Sequence, residues 1–395
     1  MRIVHLADLH LGFRQYQRLT PAGINQRESD VAAVFVRAID KVIELAPDIV
    51  LFAGDVFHQV RPTNPAILHA FSQLARLMRA LPDACVVMIA GNHDTPRARD
   101  TVCILRLFRQ LGIHVVDGEA QRLYFADRRL SILAVPDIQD PAIEIVPDLS
   151  VEHNILIIHA EVEGLLPQIA GHERATLIVS RAVFAHPRWD YAALGHYHVY
   201  RQVAPKAWYS GALEYTSTNP WGEIREERAA KLPGKGVIEF NLETGKQAFH
   251  PIPAARVPVD LPVIDGRGLG AADLDARIAS AIERAKGGID DRAVRLVLRD
   301  VPRHVARDLD HRALREYRKR ALHFHLDVRP PELTRASGAG APGRSSTLVE
   351  TLRARLRDRP LDAELNRERF VELGLLYLHR VEPTATGPAD GEPGP

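Results

Sequence analysis

Cysteine is nearly absent from this chain of 395 residues: two occur, Cys85 and Cys103, each among apolar neighbours. A disulfide-stapled secreted fold is thereby disfavoured, and two buried free thiols in a reducing compartment are expected. Aromatic residues are sparse, at 6%, and neither sign of charge is in excess: 51 basic against 50 acidic side chains leave a net charge of +1. That balance excludes a wholly basic nucleic-acid coat protein and an acidic disordered chain, so any nucleic-acid surface must be a local patch. No run approaches the ~18 apolar residues of a membrane span, and the longest, such as 84–90, are strand-sized. The first residues, Met1-Arg2-Ile3-Val4-His5, enter a strand pattern with no charged leader and no long apolar core. This predicts a cytoplasmic chain without a membrane partner. Lysine is scarce as well, with seven among the 51 basic residues. With the abundant alanine and proline, that bias reads as genome composition, although arginine's planar fork does suit phosphate.

What is present is a repeated theme over residues 1 to about 200: an apolar β-rich run, a polar cluster, then an amphipathic stretch. The runs fall at 3–7, 49–53, 86–90, 155–158 and 191–194. Each is continuous rather than alternating, as expected of strands buried on both faces. Residues 29–45 and 66–81 carry apolar positions at helical spacing, and 101–111 is a third helix candidate. Strands alternating with helices predict a layered α/β core. Residues 123–135 read as a hairpin turning at Asp127-Arg128-Arg129. After Trp221 the composition changes, and a hairpin, two helices and two strands over about 235–331 read as a small α+β unit. Residues 335–346 (RASGAGAPGRSS) have linker composition. Two amphipathic helices at 347–357 and 362–378 come after it, and the Pro- and Gly-rich end from 383 is expected to be disordered.

Each strand of the first half is followed at once by groups that bind hard or borderline metals. They are Asp8 and His10 in Asp-Leu-His-Leu-Gly, Asp55 in Gly-Asp-Val-Phe-His, and Asn92, His93 and Asp94 in Gly-Asn-His-Asp. Then come His159 in Ile-Ile-His-Ala, and His196 and His198 in Gly-His-Tyr-His. In open α/β sheets ligands gather at the carboxyl ends of strands, where these residues would meet. Any one motif has a bland reading: a turn, a surface histidine pair, a chance Asp-x-His. Five in this order, each after a strand, are not accounted for that way.

Together these motifs resemble the calcineurin-like metallophosphoesterases, and within them the SbcD-type DNA repair exonucleases. The resemblance covers 1 to about 220 with specific motifs and continues more loosely to about 330. Asp8-Leu9-His10-Leu11-Gly12 looks like the nuclease form of the first motif, and Gly54-Asp55-Val56-Phe57-His58 departs from the Ser/Thr phosphatase pattern. Ala7 stands where the family commonly has serine, without loss of a ligand. The implied fold is a layered α-β-β-α core with a smaller α+β capping domain and C-terminal helices. The implied division is a nuclease domain at 1–230, a capping and DNA-positioning domain at 231–331, a flexible linker at 332–346, a helical ATPase-partner-binding segment at 347–381, and a disordered tail at 382–395. Carried over residue by residue, the resemblance implies a two-metal site. Asp8, His10 and His198 would hold one ion; Asn92, His159 and His196 the other; Asp55 would bridge them. Asp, Asn and His without cysteine suit manganese, iron or zinc in a reactive rather than structural site, and the resemblance puts Mn2+ first. His93 would stabilise the transition state or protonate the leaving 3′ oxygen, oriented by Asp94. Asp94 has an equal claim as a helix N-cap for 95–99. His58 would contact the nucleotide phosphate.

The expected activity is metal-dependent exonuclease and endonuclease hydrolysis of DNA phosphodiester bonds. It would serve DNA end processing with an SbcC-like coiled-coil ABC ATPase, in a homodimer. The alternatives are a phosphodiesterase for small substrates such as cyclic nucleotides, and a non-catalytic DNA-end-binding scaffold. A small substrate needs neither second domain nor tethered helices, and a scaffold has no use for a complete ligand set. Arg14, Arg61, Arg97 and Arg99 are candidates for DNA phosphates, as is the basic stretch 303–329 with eight Arg/Lys, four Asp/Glu and four His. Trp208, Trp221 and Tyr215 read as core packing rather than base stacking. Leu348, Leu352 and Leu356, with Leu365, Phe370, Leu373, Leu376 and Tyr377, form apolar stripes suited to a partner's groove.

Overall fold

The computed structural model describes residues 1–96, 101–165, 175–331, 348–359, 361 and 366–381. Arg97, Arg99, Leu365, the expected linker at 332–346 and the expected tail at 382–395 lie outside the described residues. The chain divides into two compact units, Met1–Pro331 and Glu332–Pro395.

Two six-stranded sheets form the first unit. One runs in the order Gln247–Pro251, Gly236–Asn241, Arg2–Leu6, Ile49–Ala53, Cys85–Ile89, His114–Val116. The other runs Arg201–Ala204, Ala207–Tyr209, Tyr191–Gly195, His153–His159, Leu130–Val135, Gln121–Phe125. The central strands of both pair in parallel. Because side chains alternate along a strand, each central strand feeds two cores. Ile3, Leu51, Val87 and Ile89 point between the sheets against Ile132, Ile155, Ile157 and Tyr191. Val4, Leu6, Phe52 and Met88 point outward against Val31, Phe35 and Leu74 of two helices, Gln26–Leu45 and Asn64–Ala80. The continuous apolar runs thus reflect burial on both faces. The outer face of the second sheet is covered by Phe184, Trp189 and Val179 from a short 3-10 turn, a loop and a two-stranded ladder.

The Gln26–Leu45 helix begins earlier than its apolar periodicity suggests, because the Asn25 side chain caps it by accepting the Arg27 N–H at 3.0 Å. The candidate at 101–111 forms a 3-10 helix over Ile104–Leu111, ending at Gly112 with φ +85°. The hairpin after 235 requires a correction. Its sequence position groups it with the small unit, yet Gly236–Asn241 pairs antiparallel with Arg2–Leu6, and Gln247–Pro251 extends that sheet. Ile238 and Phe240 enter the inter-sheet core while Val237 enters the helix-side core. The hairpin thereby covers the backbone edge that the first strand would otherwise expose, so the core continues past the expected boundary at 230.

Beyond this hairpin the chain builds a smaller sheet of its own. Val259–Asp260, Ile264–Asp265 and His323–Val328 all pair in parallel with Ala293–Arg299. Helices Ala271–Glu283 and His311–Arg320 pack on this sheet through Leu274, Ile278, Ile282 and Leu314. It is tied to the core by Arg18, which reaches Asp291 at 2.8 Å and the carbonyls of Lys319 and Ala321, and by the Trp221 N–H on the Ala293 carbonyl.

In the second unit, helices Leu348–Asp358 and Arg367–Val381 pack on each other, closely enough that a Cβ on Gly374 would meet Leu356. Leu373, Leu376 and Tyr377 remain about half exposed, at 53%, 49% and 58%. Among the described residues, no helix is long and apolar enough to cross a membrane. Cys85 and Cys103 are both buried and free.

Candidate metal centre

The strand-end motifs converge where the carboxyl ends of the two sheets face each other. Asp8, His10, Asp55 and His159 are buried, and backbone hydrogen bonds lace their loops together. The N–H of Asp8 donates to the Gly54 carbonyl, that of His10 to the Asp55 carbonyl, and that of Leu11 to the Val56 carbonyl, at 2.9 to 3.0 Å. The His196 N–H donates to Asp8 Oδ1 at 2.9 Å, joining the second sheet to the first. Asp8, His10, Asp55 and His196 all have positive φ, at 53°, 49°, 52° and 105°. Such backbone costs about 1–3 kcal/mol per residue and persists where surrounding bonds over-determine it, which is characteristic of functional sites.

Two glycines make the convergence possible. A Cβ on Gly195 would lie 1.8 Å from the Ala53 carbonyl oxygen, and one on Gly91 would lie 2.1 Å from Asp55 Oδ1. Neither position admits any side chain.

Among the described residues, candidate ligand atoms gather as Asp8, His10 and His198, with His10 Nε2 and His198 Nε2 2.9 Å apart, as Asp8, Asp55 and His159, and as His10, His58 and His93. Beside the second of these, Asn92 Oδ1 lies 3.0 Å from His159 Nε2 and 3.2 Å from His196 Nδ1. Asp55 stands between His10 and His159: its Oδ2 is 3.9 Å from His10 Nε2 and 3.5 Å from His159 Nε2. Two imidazole nitrogens sharing one cation at right angles, each about 2.0–2.1 Å from it, would be about 2.9 Å apart. The spacing of His10 and His198 therefore fits a divalent ion, as does the all N/O donor set.

Burial and mutual charge shift these groups in both directions. Burial, and then the neighbouring His198, His93 and His58, push His10 well below the ordinary histidine value. Burial, and then His159, lower His196 to about 3. Both shifts favour the neutral imidazole; in that form His196 Nε2 accepts the Ala175 N–H at 3.2 Å, which leaves the proton on Nδ1 beside Asn92 Oδ1. Asp8 is raised to about 6 by burial, against the pull of His159 and His198. Asp55, despite its burial, is lowered by His159 and His93. His159 and His198 shift the other way: against their burial, Asp55 raises the first and Glu223 the second.

His93 and His58 flank this group. The His93 N–H donates to Asp55 Oδ1 at 2.9 Å, and its ring Nδ1 sits 2.8 Å from the His58 carbonyl. Its ring stacks on His58 at 5.0 Å and stands edge-on to His10 at 4.8 Å. His58 Nδ1 is 3.3 Å from His10 Nδ1.

The helix expected at 95–99 extends outside the described residues, and His93 Nδ1 lies beside the His58 carbonyl. The Asp94 carboxylate accepts three backbone N–H groups, from Phe57 on Oδ1 and from Val56 and Gly91 on Oδ2, at 2.9 to 3.1 Å. It is a buried clamp holding the Asp55 loop against the Asn92-His93 loop. Removing it in Asp94→Ala strands three buried donors at about 1–3 kcal/mol each. A loss of about 3 kcal/mol or more is expected in denaturant titration, and a variant as stable as the parent would contradict the clamp.

Among the remaining candidates, Arg14 is tied to Glu28 at 2.6 Å but keeps half its side chain exposed. Trp208, Tyr215 and Trp221 are buried: Trp208 stacks beside Tyr191 and Phe240, and the Tyr215 hydroxyl donates to Glu227. That placement fits core packing.

Two residues absent from the motifs reach the site. Glu223, in the helix Pro220–Ala229, places Oε1 3.6 Å from His198 Nδ1, and Lys235 donates to the His198 carbonyl at 2.8 Å. Both stand amid ordinary charged sequence, with no motif spacing to single them out.

Comparison with known proteins is consistent with this geometry. The family described as calcineurin-like phosphoesterase matches residues 1–200. Similar curated proteins carry the name DNA double-strand break repair protein Mre11. That of Methanocaldococcus jannaschii is 25% identical over 261 residues, covering 61% of this chain and 63% of the relative. That of Aeropyrum pernix is 30% identical over 236 residues, covering 54% and 53%. That of Methanococcus maripaludis is 39% identical over 100 residues, covering 25% and 24%. The chain thus spans less than two thirds of the length of each of these relatives.

Proposed function

This chain belongs to the calcineurin-like phosphoesterase family, and on that basis we propose that it is a metal-dependent DNA exonuclease and endonuclease acting in DNA end processing. The observation that supports the reading is the convergence of seven residues with N/O donors from five strand ends, with Asp55 between His10 and His159. In this reading Asp8, His10 and His198 hold one divalent ion, Asn92, His159 and His196 the second, and Asp55 both. Manganese, iron and zinc all suit such a donor set, and the resemblance to SbcD-type nucleases puts Mn2+ first. The chemistry supplied by ions held there is Lewis acidity: a more acidic water, and neutralised charge on the phosphate oxygens.

The chain's own residues do the rest. Asp94 holds the two ligand loops in register, so that little reorganisation remains when DNA arrives. His58 faces the phosphate beside His10. With Nδ1–H on the His58 carbonyl, His93 can give a proton to the leaving 3′ oxygen only from Nε2 of its doubly protonated ring. The small sheet and helices that follow the hairpin within Met1–Pro331, with the basic stretch at 303–329, position the duplex through phosphate contacts. A small cyclic substrate would need neither these nor the helices beyond them.

The partners proposed are DNA, a second copy of the chain, and an SbcC-like ABC ATPase. The exposed Leu373, Leu376 and Tyr377 are the anchors offered to that ATPase's coiled coil. Deleting 335–395 should leave the metal core folded and active on bis-p-nitrophenyl phosphate, because every proposed ligand lies within Met1–Pro331. Co-purification with the ATPase and ATP-stimulated cutting of duplex DNA should be lost. Unchanged ATPase affinity would remove the helices from the docking role, and unfolding of 1–331 would make them part of the core. Assays on linear duplex, hairpin and bis-p-nitrophenyl phosphate, with Mn2+ or chelator and with or without the ATPase, test the activity as a whole.

A further inference from the structure

We infer that Glu223 is a positioning residue for the metal centre: held by Lys235, it fixes His198 in the tautomer that turns the Nε2 lone pair toward Asp8 and His10. This rests on the metal-dependent reading proposed for the chain and adds to it a buried charge network outside the ligand motifs.

His198 Nδ1 and Glu223 Oε1 are both buried, and neither has a hydrogen-bond partner among the described residues. They face each other at 3.6 Å. That is just beyond hydrogen-bond length, and a shift of about half an ångström would close it. Two buried orphan atoms, one able to donate and the other a carboxylate oxygen, satisfy each other only if Nδ1 carries the proton. Nε2 is then the unprotonated nitrogen, and it lies in the group formed with Asp8 and His10.

The carboxylate does not choose its own place. Lys235, itself buried, donates to Glu223 Oε2 and to the His198 carbonyl, and pairs with Glu227 at 3.2 Å. Its ammonium also lies 4.5 Å from the Tyr215 ring centre, whose hydroxyl donates to Glu227. One lysine thus grips both ends of the contact: the backbone of the histidine and the carboxylate that faces its ring. The helix carrying Glu223 is fixed at its start by Asn219, whose side chain accepts the Gly222 N–H. Such partners orient a ligand and raise its basicity, and losing one typically costs about 10–100-fold in metal affinity. Glu227 remains beside Lys235 when Glu223 is replaced, so the lysine is not left without a counter-charge.

The test uses the full chain. In metal-free wild-type protein labelled with 15N-histidine, the His198 signals, assigned by their loss in His198→Gln, should report Nδ1–H and an unprotonated Nε2. Calorimetric titration with Mn2+ should give two sites. In Glu223→Gln and Glu223→Leu one of them should weaken about 10–100-fold while the other keeps its affinity. An Nε2–H tautomer in the wild type would overturn the inference without any variant. So would two unweakened sites in both variants. If the wild type itself binds no Mn2+, the metal-dependent reading fails, whereas two sites in the wild type with an indifferent Glu223 sink the positioning role alone.

Discussion

Asp55→Asn should abolish metal-dependent hydrolysis while leaving the fold intact. The reason lies in its two oxygens. Oδ1 accepts the His93 N–H, a bond that an asparagine carbonyl can keep. Oδ2 faces His159 Nε2 and His10 Nε2, and there the variant would present an amide N–H to the nitrogens proposed as metal ligands. A charge shared by both clusters is lost, so Mn2+ binding should weaken at both rather than at one. With several kcal/mol of charge stabilisation withdrawn, the rate should fall by about 10³ or more. Calorimetry beside a nuclease assay checks both halves. Full activity would end the shared-carboxylate account, and loss of one site alone would place Asp55 in a single cluster.

His93→Ala separates chemistry from metal binding. His93 meets the centre through its backbone N–H on Asp55 and through ring contacts with His10 and His58. The backbone contact survives the change to alanine. Both Mn2+ sites should therefore persist in calorimetry or elemental analysis, while hydrolysis falls by about 10²–10⁴, the usual contribution of a positioned acid. The loss should be smaller on bis-p-nitrophenyl phosphate, because its leaving group departs without needing a proton. Metal loss together with rate loss would make His93 a ligand instead.

The site is more legible in the sequence than the fold around it. Asp8, His10, Asp55, Asn92, His159, His196 and His198 each come directly after an apolar run, so their meeting accords with the general behaviour of strand ends in layered α/β folds. Asp94 is harder to read. Its place beside His93 suggests a local partnership, yet its carboxylate reaches the backbone of Val56 and Phe57, in a loop distant in sequence. Glu223 and Lys235 escape altogether, since a buried ion pair and an exposed one look alike in a charged stretch. The hairpin Gly236–Asn241 with Gln247–Pro251 is visible as a hairpin but not in its destination. Nothing local in its alternation says that it caps the edge of Arg2–Leu6. Asn25 as the start of the first helix is missed because apolar periodicity marks the buried face and not the cap.

If the converging strand ends form a metal-dependent site for DNA phosphodiesters, the purified chain should degrade DNA only when the cation is supplied. The decisive measurement is hydrolysis of end-labelled linear duplex DNA in Mn2+ and after chelation, with a cyclic nucleotide run in parallel. Mn2+-dependent shortening of the DNA is expected, with no cleavage under chelation and little or no turnover of the cyclic nucleotide. DNA left intact in Mn2+, or cleavage confined to the cyclic nucleotide, would contradict the assignment.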